Sequence, residues 1–259
     1  MPERRKVIGI VGGVGPYAGL DLNRKLFDSV LTDGTDQDQL EVLLFSVGSR
    51  IPDRTEYLLG RGDTNPAGGL FEACQALEAA GAQVAAIACN TAHAAPIMTE
   101  LRERMNKAGL RLELVDMLAE TGCFVRERYG HAARVGLLAT EGTIRCRVYE
   151  RLLEGPEGLK ELLVPEEEFV HRVQRAIYDR AWGIKARSNP VSGQAVEECR
   201  AAVEHLAARG AEAVILGCTE LPLALPSVHL GRVELIDPAL ITARALIRRV
   251  APEKLRPLD

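Results

Sequence analysis

The chain has 259 residues, 47% of them hydrophobic but only 4% aromatic, so its core must be built from Ala, Val, Leu and Ile, and its length suits one large or two small domains. A net charge of −4 with dispersed basic residues leaves no polyanion footprint, so nucleic acid is not an expected partner. No apolar run approaches the roughly 20 residues of a membrane span, and the charged start leads into a run (7–11) too short for a signal-peptide core; a soluble cytoplasmic protein with six reduced thiols and no membrane contact is expected.

In chain order, strands are expected at 7–11, 41–45, 84–88, 112–115, 134–138, 213–217 and 233–236. Most are nearly continuous hydrophobic runs, the pattern of strands covered on both faces. Helical stretches such as 69–80, 99–107 and 196–209 lie between them. The alternation predicts an α/β fold with parallel sheets and right-handed crossovers.

After the first strand comes Gly12-Gly13-Val14-Gly15-Pro16. It lacks the dinucleotide spacing and no Gly-Lys-Ser/Thr follows. Its expected use is close backbone approach to a small carboxylate, held by N–H groups around Val14, with Pro16 opening a helix. Ile51-Pro52-Asp53-Arg54-Thr55 follows the second strand. Arg54 there can grip a carboxylate in a bidentate fork, or simply pair with Asp53 at the surface.

The sequence also repeats. Gly9-Ile10-Val11-Gly12 and Gly136-Leu137-Leu138-Ala139 are 136 − 9 = 127 positions apart, each leading through a turn into a helix (13–27 and 140–153). Later in each half come a helix, a glycine, a strand and a cysteine: Gly81 and Cys89 in one, Gly210 and Cys218 in the other, both pairs offset by 129. A duplicated unit explains this, giving two pseudo-symmetric lobes, with expected boundaries of 1–117 plus 238–259 and 118–237. In parallel sheets ligands bind beyond the carboxyl ends of strands, so both cysteines are expected in a cleft between the lobes.

Asn90 and Thr91 follow Cys89; Thr219 and Glu220 follow Cys218. Such residues cap helices or bond a carboxylate, and a thiol at a helix start is expected to have its pKa lowered toward neutrality. Pro96 and Pro222 fit first helical turns. Cys74, Cys123, Cys146 and Cys199 lie in helical patterns and are expected to pack. Cys89 and His93 share i, i+4 spacing, but zinc needs three or four ligands and no second pair is present. His93 is left to orient or polarise Cys89, or to make a local hydrogen bond. His131, His171, His205 and His229 sit scattered in charged, exposed contexts.

Taken together, Gly-Gly-Val-Gly-Pro, Ile-Pro-Asp-Arg-Thr, Cys89-Asn-Thr-Ala-His, Leu137-Leu-Ala-Thr-Glu-Gly-Thr, Gly217-Cys-Thr-Glu and Leu235-Ile-Asp-Pro resemble the cofactor-independent aspartate/glutamate racemase family, in its order, over residues 7–246. The first two elements are more similar to its aspartate racemase branch. The ligand count leaves no metal site expected, and the resemblance implies two α/β lobes, catalytic Cys89 and Cys218, no pyridoxal phosphate, an amino-acid substrate and a homodimer. It implies that Asn90, Thr91, Thr140, Thr143 and Thr219 bind the α-carboxylate and amino group, with Arg54 on the side-chain carboxylate. One element departs: where the family has a lysine four residues after a tyrosine equivalent to Tyr178, this chain has Trp182, and Lys185 is the candidate to replace it.

The expected reaction is two-base racemisation, one thiolate removing the α-proton and the opposite thiol protonating the other face. Alternatives are a maleate isomerase or hydantoin racemase of the same superfamily, and a non-catalytic amino-acid-binding protein.

Overall fold

A computed structural model describes residues 6–130, 133–149, 159 and 161–258. Arg4, His131 and the part of the expected 140–153 helix beyond Tyr149 lie outside the described residues.

Two sheets form. In the first, β1 (Val7–Gly12), β2 (Val42–Ser46), β3 (Ala82–Ile87) and β4 (Glu113–Val115) are all parallel, in the order β2-β1-β3-β4. In the second, β5 (Arg134–Ala139), β6 (Glu161–Leu163), β7 (Ala213–Gly217), β8 (His229–Leu230) and β9 (Val233–Ile236) are ordered β6-β5-β7-β9-β8. Without β8, which pairs antiparallel at the edge, the second order repeats the first. The expected parallel α/β architecture is present. Two corrections apply: β6 and β8 were not expected, and β3 begins and ends earlier than 84–88.

The helices are α1 (Ala18–Asp28), α2 (Arg54–Leu58), α3 (Ala67–Ala79), α4 (Ala95–Ala108), α5 (Met117–Tyr129), α6 (Glu141–Arg145), α7 (Glu167–Tyr178), α8 (Gly193–Ala208), α9 (Leu221–Ala224) and α10 (Pro238–Val250). In α7, Val170, Val173, Ala176 and Ile177 are buried at helical spacing and turn one stripe to the core. The chain leaves α3 through Gly81 (φ 104) and α8 through Gly210 (φ 92). Both conformations suit only glycine, and both feed a central strand that ends near a cysteine.

Two helices cross over. Strand β9 belongs to the second sheet, yet α10, which follows it, buries Ala239, Ala243, Leu246 and Ile247 with Ile8, Ile10 and Leu22 around the first. Helix α5 follows β4 of the first sheet but packs Leu118 and Val125 with Val135, Leu137 and Ile215 of the second. Asp116 and Asp237 cap these helices, each accepting from two backbone N–H groups. Among the described residues no helix is long and apolar enough to cross a membrane.

Candidate active site

The carboxyl ends of β3 and β7 face each other. Cys89 lies two residues past β3, and Cys218 one past β7. The Thr219 hydroxyl donates to the Ala88 carbonyl at 3.2 Å, which ties the two cysteine loops directly together. Both cysteines are 5% exposed.

Expected capping does not occur. After Cys89 comes a single 3-10 turn at Thr91–His93, and after Cys218 the four-residue α9, neither with a side-chain cap. Such short turns carry little dipole, and Cys218 departs from the expected direction. Burial, then the neighbouring Glu220 carboxylate, raises its thiol well above the ordinary value, against the opposing Lys185 ammonium. The Cys218 Sγ–H donates to Glu220 Oε2 at 2.9 Å, and Lys185 Nζ donates to Oε1 at 3.0 Å. Burial alone would raise Glu220, but Lys185, the thiol and Arg54 outweigh it and lower its carboxyl.

Cys89 has different company. Arg54, 7% exposed, approaches it electrostatically from α2. Arg54 Nη2 donates to the Val14 carbonyl at 2.8 Å and Nη1 to that of Pro52 at 3.2 Å, while Nε is buried without a partner. Val14 thus offers an oxygen to Arg54. Arg54 is no surface ion pair: Asp53 instead caps α2 and accepts from the Tyr178 hydroxyl at 3.1 Å. His93 Nδ1 lies 2.8 Å from the Cys89 carbonyl, and the Met117 N–H donates to its Nε2 at 3.3 Å. It therefore makes the local hydrogen bond that ties the loop backbone; burial lowers its pKa and keeps it neutral.

Between the walls lies a hydroxyl cluster. Thr91 and Thr143 are 2.9 Å apart, Thr140 and Thr143 3.1 Å, and Thr91 and Thr140 3.2 Å, all buried. Asn90 is 1% exposed and its Nδ2 has no partner. Its Oδ1 accepts from Tyr149, a fully buried residue that sequence reasoning missed because nothing local links positions 59 apart. Tyr178 and Asp53 were missed for the same reason.

A cavity of about 470 Å³ opens beside Arg54 and Lys185, lined also by Gly13, Gly15, Gly48 and Asp53 among others. Neither cysteine forms part of its wall. A Cβ on Gly15 would fall 1.8 Å from Glu220 Oε1, and one on Gly142, 127 positions on, 3.0 Å from Thr55 Cα. Gly15 in its loop and Gly142 in α6 thus each permit close approach to the neighbouring wall.

The other cysteines divide. Cys74 and Cys199 are buried as expected and Cys146 is half-buried, but Cys123 is exposed beside Arg126. His205 is also corrected: it is half-buried and stacks on Phe169 with centroids 4.1 Å apart. Among the described residues, Glu141, Glu167 and His171 could group around a metal, but Arg145 already bonds both acids at the surface.

Two α/β sheets of matching strand order, with polar and thiol groups gathered where their strand ends meet, define the two-lobed racemase architecture. The chain belongs to the Asp/Glu/hydantoin racemase family, whose model matches residues 11–246. It is 27% identical over 179 residues to a glutamate racemase of Carboxydothermus hydrogenoformans, covering 68% of this chain and 59% of that one. The match thus spans about three fifths of that relative's length. An aspartate racemase of Picrophilus torridus shares the fold with a TM-score of 0.77 at 23% identity, covering 94% of both chains. An aspartate racemase homologue from Pyrococcus horikoshii OT3 gives 0.67 at 27% identity, covering 95% of this chain and 99% of that one.

Proposed function

We propose that this protein racemises an acidic amino acid, aspartate or glutamate, by moving the α-proton between Cys89 and Cys218 without a cofactor. The carrying observation is the pair of cysteine loops, drawn from equivalent strand ends and joined by the Thr219–Ala88 hydrogen bond. A single base would have to reach both faces of one carbon, whereas two thiols on opposed walls each need reach only one.

In the resting site Cys218 holds its proton against Glu220, so Cys89 is the base and Cys218 the acid. Cys89 takes the α-proton as the C–H pair delocalises into the carboxylate; Cys218 then delivers its proton to the other face. For the opposite enantiomer the roles exchange. The intermediate is a dianion, and preorganised donors must stabilise it. Asn90 Nδ2 and the Thr91, Thr140 and Thr143 hydroxyls are the candidate donors for the α-carboxylate, with Thr219 fixing the wall. Arg54 Nε, a buried donor without a partner, suits the side-chain carboxylate, and Lys185 stands beside it at the cavity.

The racemases of known name among the relatives support the substrate class. The homodimer and the lobe boundaries 1–117 plus 238–259 and 118–237 belong to the same proposal. L-aspartate and L-glutamate incubated with the protein in D2O test it. α-Deuterium and the D-enantiomer are expected to appear together; saturable binding without exchange would establish a binding protein instead.

A further inference from the structure

Lys185 lines the cavity beside Arg54, which makes it the obvious second grip for a substrate carboxylate. Its hydrogen bonds suggest another task. We infer, building on the racemase reading, that Lys185 is a positioning residue for the Cys218 thiol, acting through Glu220, and that Arg54 alone receives the substrate's side-chain carboxylate.

The geometry is a line of ammonium, carboxylate and thiol. Glu220 bridges the other two with one oxygen each, Oε1 at 3.0 Å from Lys185 Nζ and Oε2 at 2.9 Å from Cys218 Sγ. Glu220 is 2% exposed, and the Gly15 loop of the opposite wall presses against Oε1 so closely that no side chain fits there. The carboxylate cannot swing aside while that loop is in place. Its ammonium partner lies over the Tyr178 ring at 5.1 Å.

Charge decides between the two tasks. A buried carboxylate needs a counter-charge, and Lys185 is the one bonded to Glu220. A substrate carboxylate on the same ammonium would stand next to Glu220, and two carboxylates sharing one site repel strongly. Arg54 is placed otherwise: it donates to the neutral carbonyls of Val14 and Pro52, its Nε has no oxygen or nitrogen partner, and its leading charged neighbours are Cys89 first and then Asp53 rather than Glu220. The nearest acid in sequence, Asp53, accepts from Tyr178 and from the Glu56 N–H. The substrate's second charge therefore belongs on Arg54. Lys185 keeps Glu220 ionised, and Glu220 in turn aims the S–H.

Steady-state kinetics of K185M, K185R, E220Q, K185M/E220Q and R54M, each first checked for native circular dichroism, separate the roles. K185M is expected to lower kcat by about tenfold or more with KM for the acidic substrate nearly unchanged, K185R to recover part of the loss, and the double variant to be no worse than E220Q. R54M is expected to raise KM instead. An increase in KM of about tenfold in K185M with kcat intact would overturn the inference.

A second measurement needs no turnover: the rate at which Cys218 reacts with methyl methanethiosulfonate, followed by peptide mass spectrometry. Removing the cation in K185M should slow the reaction, and removing the anion in E220Q should speed it. Equal rates in all variants would sink the inference even in an active enzyme. If the wild type exchanges no α-proton, the racemase reading fails on its own, and opposite rate changes at Cys218 would still support the Lys185–Glu220–Cys218 line.

Discussion

The walls carrying Cys89 and Cys218 sit at equivalent ends of sheets with the same strand order, yet their thiols meet opposite neighbours. Beside Cys89 stands the Arg54 guanidinium; beside Cys218, the Glu220 carboxylate. The residue two positions on from each cysteine accounts for much of the contrast. In the first wall it is Thr91, which joins the hydroxyl cluster, and in the second it is Glu220, which accepts a hydrogen bond from the thiol. A second pair, Cys74 in α3 and Cys199 in the corresponding α8 but one helical turn away from strict equivalence, shows no such split. Both are fully buried and burial pushes both thiols up to about 12. The duplicated scaffold thus keeps its symmetry in the packing and gives it up where protons move.

Replacing the thiols tests that contrast most severely. C89S and C218S should each lose racemisation by about 10³-fold or more. Each should still exchange the α-proton of one enantiomer with D2O, and the two variants should prefer opposite enantiomers. Exchange of the same enantiomer by both would show that the walls do not face opposite sides of the substrate.

Gly15 and Gly142 give a graded version. G15A puts a methyl into Glu220 and should reduce kcat by about 100-fold, since a 1 Å misplacement can cost that much. G142A meets Thr55 at 3.0 Å, where a small shift suffices, and should cost less than about tenfold on the same scale. Rates in the reverse order would remove Glu220 from its place beside the proton donor.

Smaller still is the hydroxyl cluster. T143V deletes one member, leaves Thr91 and Thr140 in contact at 3.2 Å, and should cost about 1 kcal/mol in kcat/KM, the worth of one hydrogen bond. A loss confined to melting temperature would mean that the cluster only packs.

The Cys74/Cys199 pair supplies the effect that vanishes at neutral pH. Their folded pKa values lie above the ordinary 9.0, at about 12. Stability is therefore full below 9.0 and is lost as pH rises toward 12, because the unfolded chain ionises while the buried thiols stay protonated. The slope is about 1.4 kcal/mol per pH unit for each thiol. C74A and C199A should flatten the alkaline melting curve equally; unequal effects would break the symmetry of the packing.

Much of this was legible in the sequence because it is written locally. Hydrophobic runs marked seven strands, and the 129-residue offset marked both cysteines and the glycines preceding their strands. The hydroxyls of Thr91, Thr140 and Thr143, singled out through the family resemblance, lie in mutual contact. What escaped depends on distance or on burial. The edge strands β6 and β8, of three and two residues, are too short to show a period. Tyr149 bonds Asn90 from the other half of the chain. The direction of the Cys218 shift could not be read from a Cys-Thr-Glu string, because it arises from two buried groups held together by the opposite loop.

The exchanged helices bear on how the cleft can move. The chain passes from the first sheet to the second at Asp116 and returns at Asp237, and each aspartate is also anchored on the first-sheet side. Asp116 pairs with Arg102 of α4 at 2.9 Å, and Asp237 with Lys25 of α1 at 2.5 Å. With both covalent links tied this way, a displacement of either link from the first sheet's helices would have to break an ion pair.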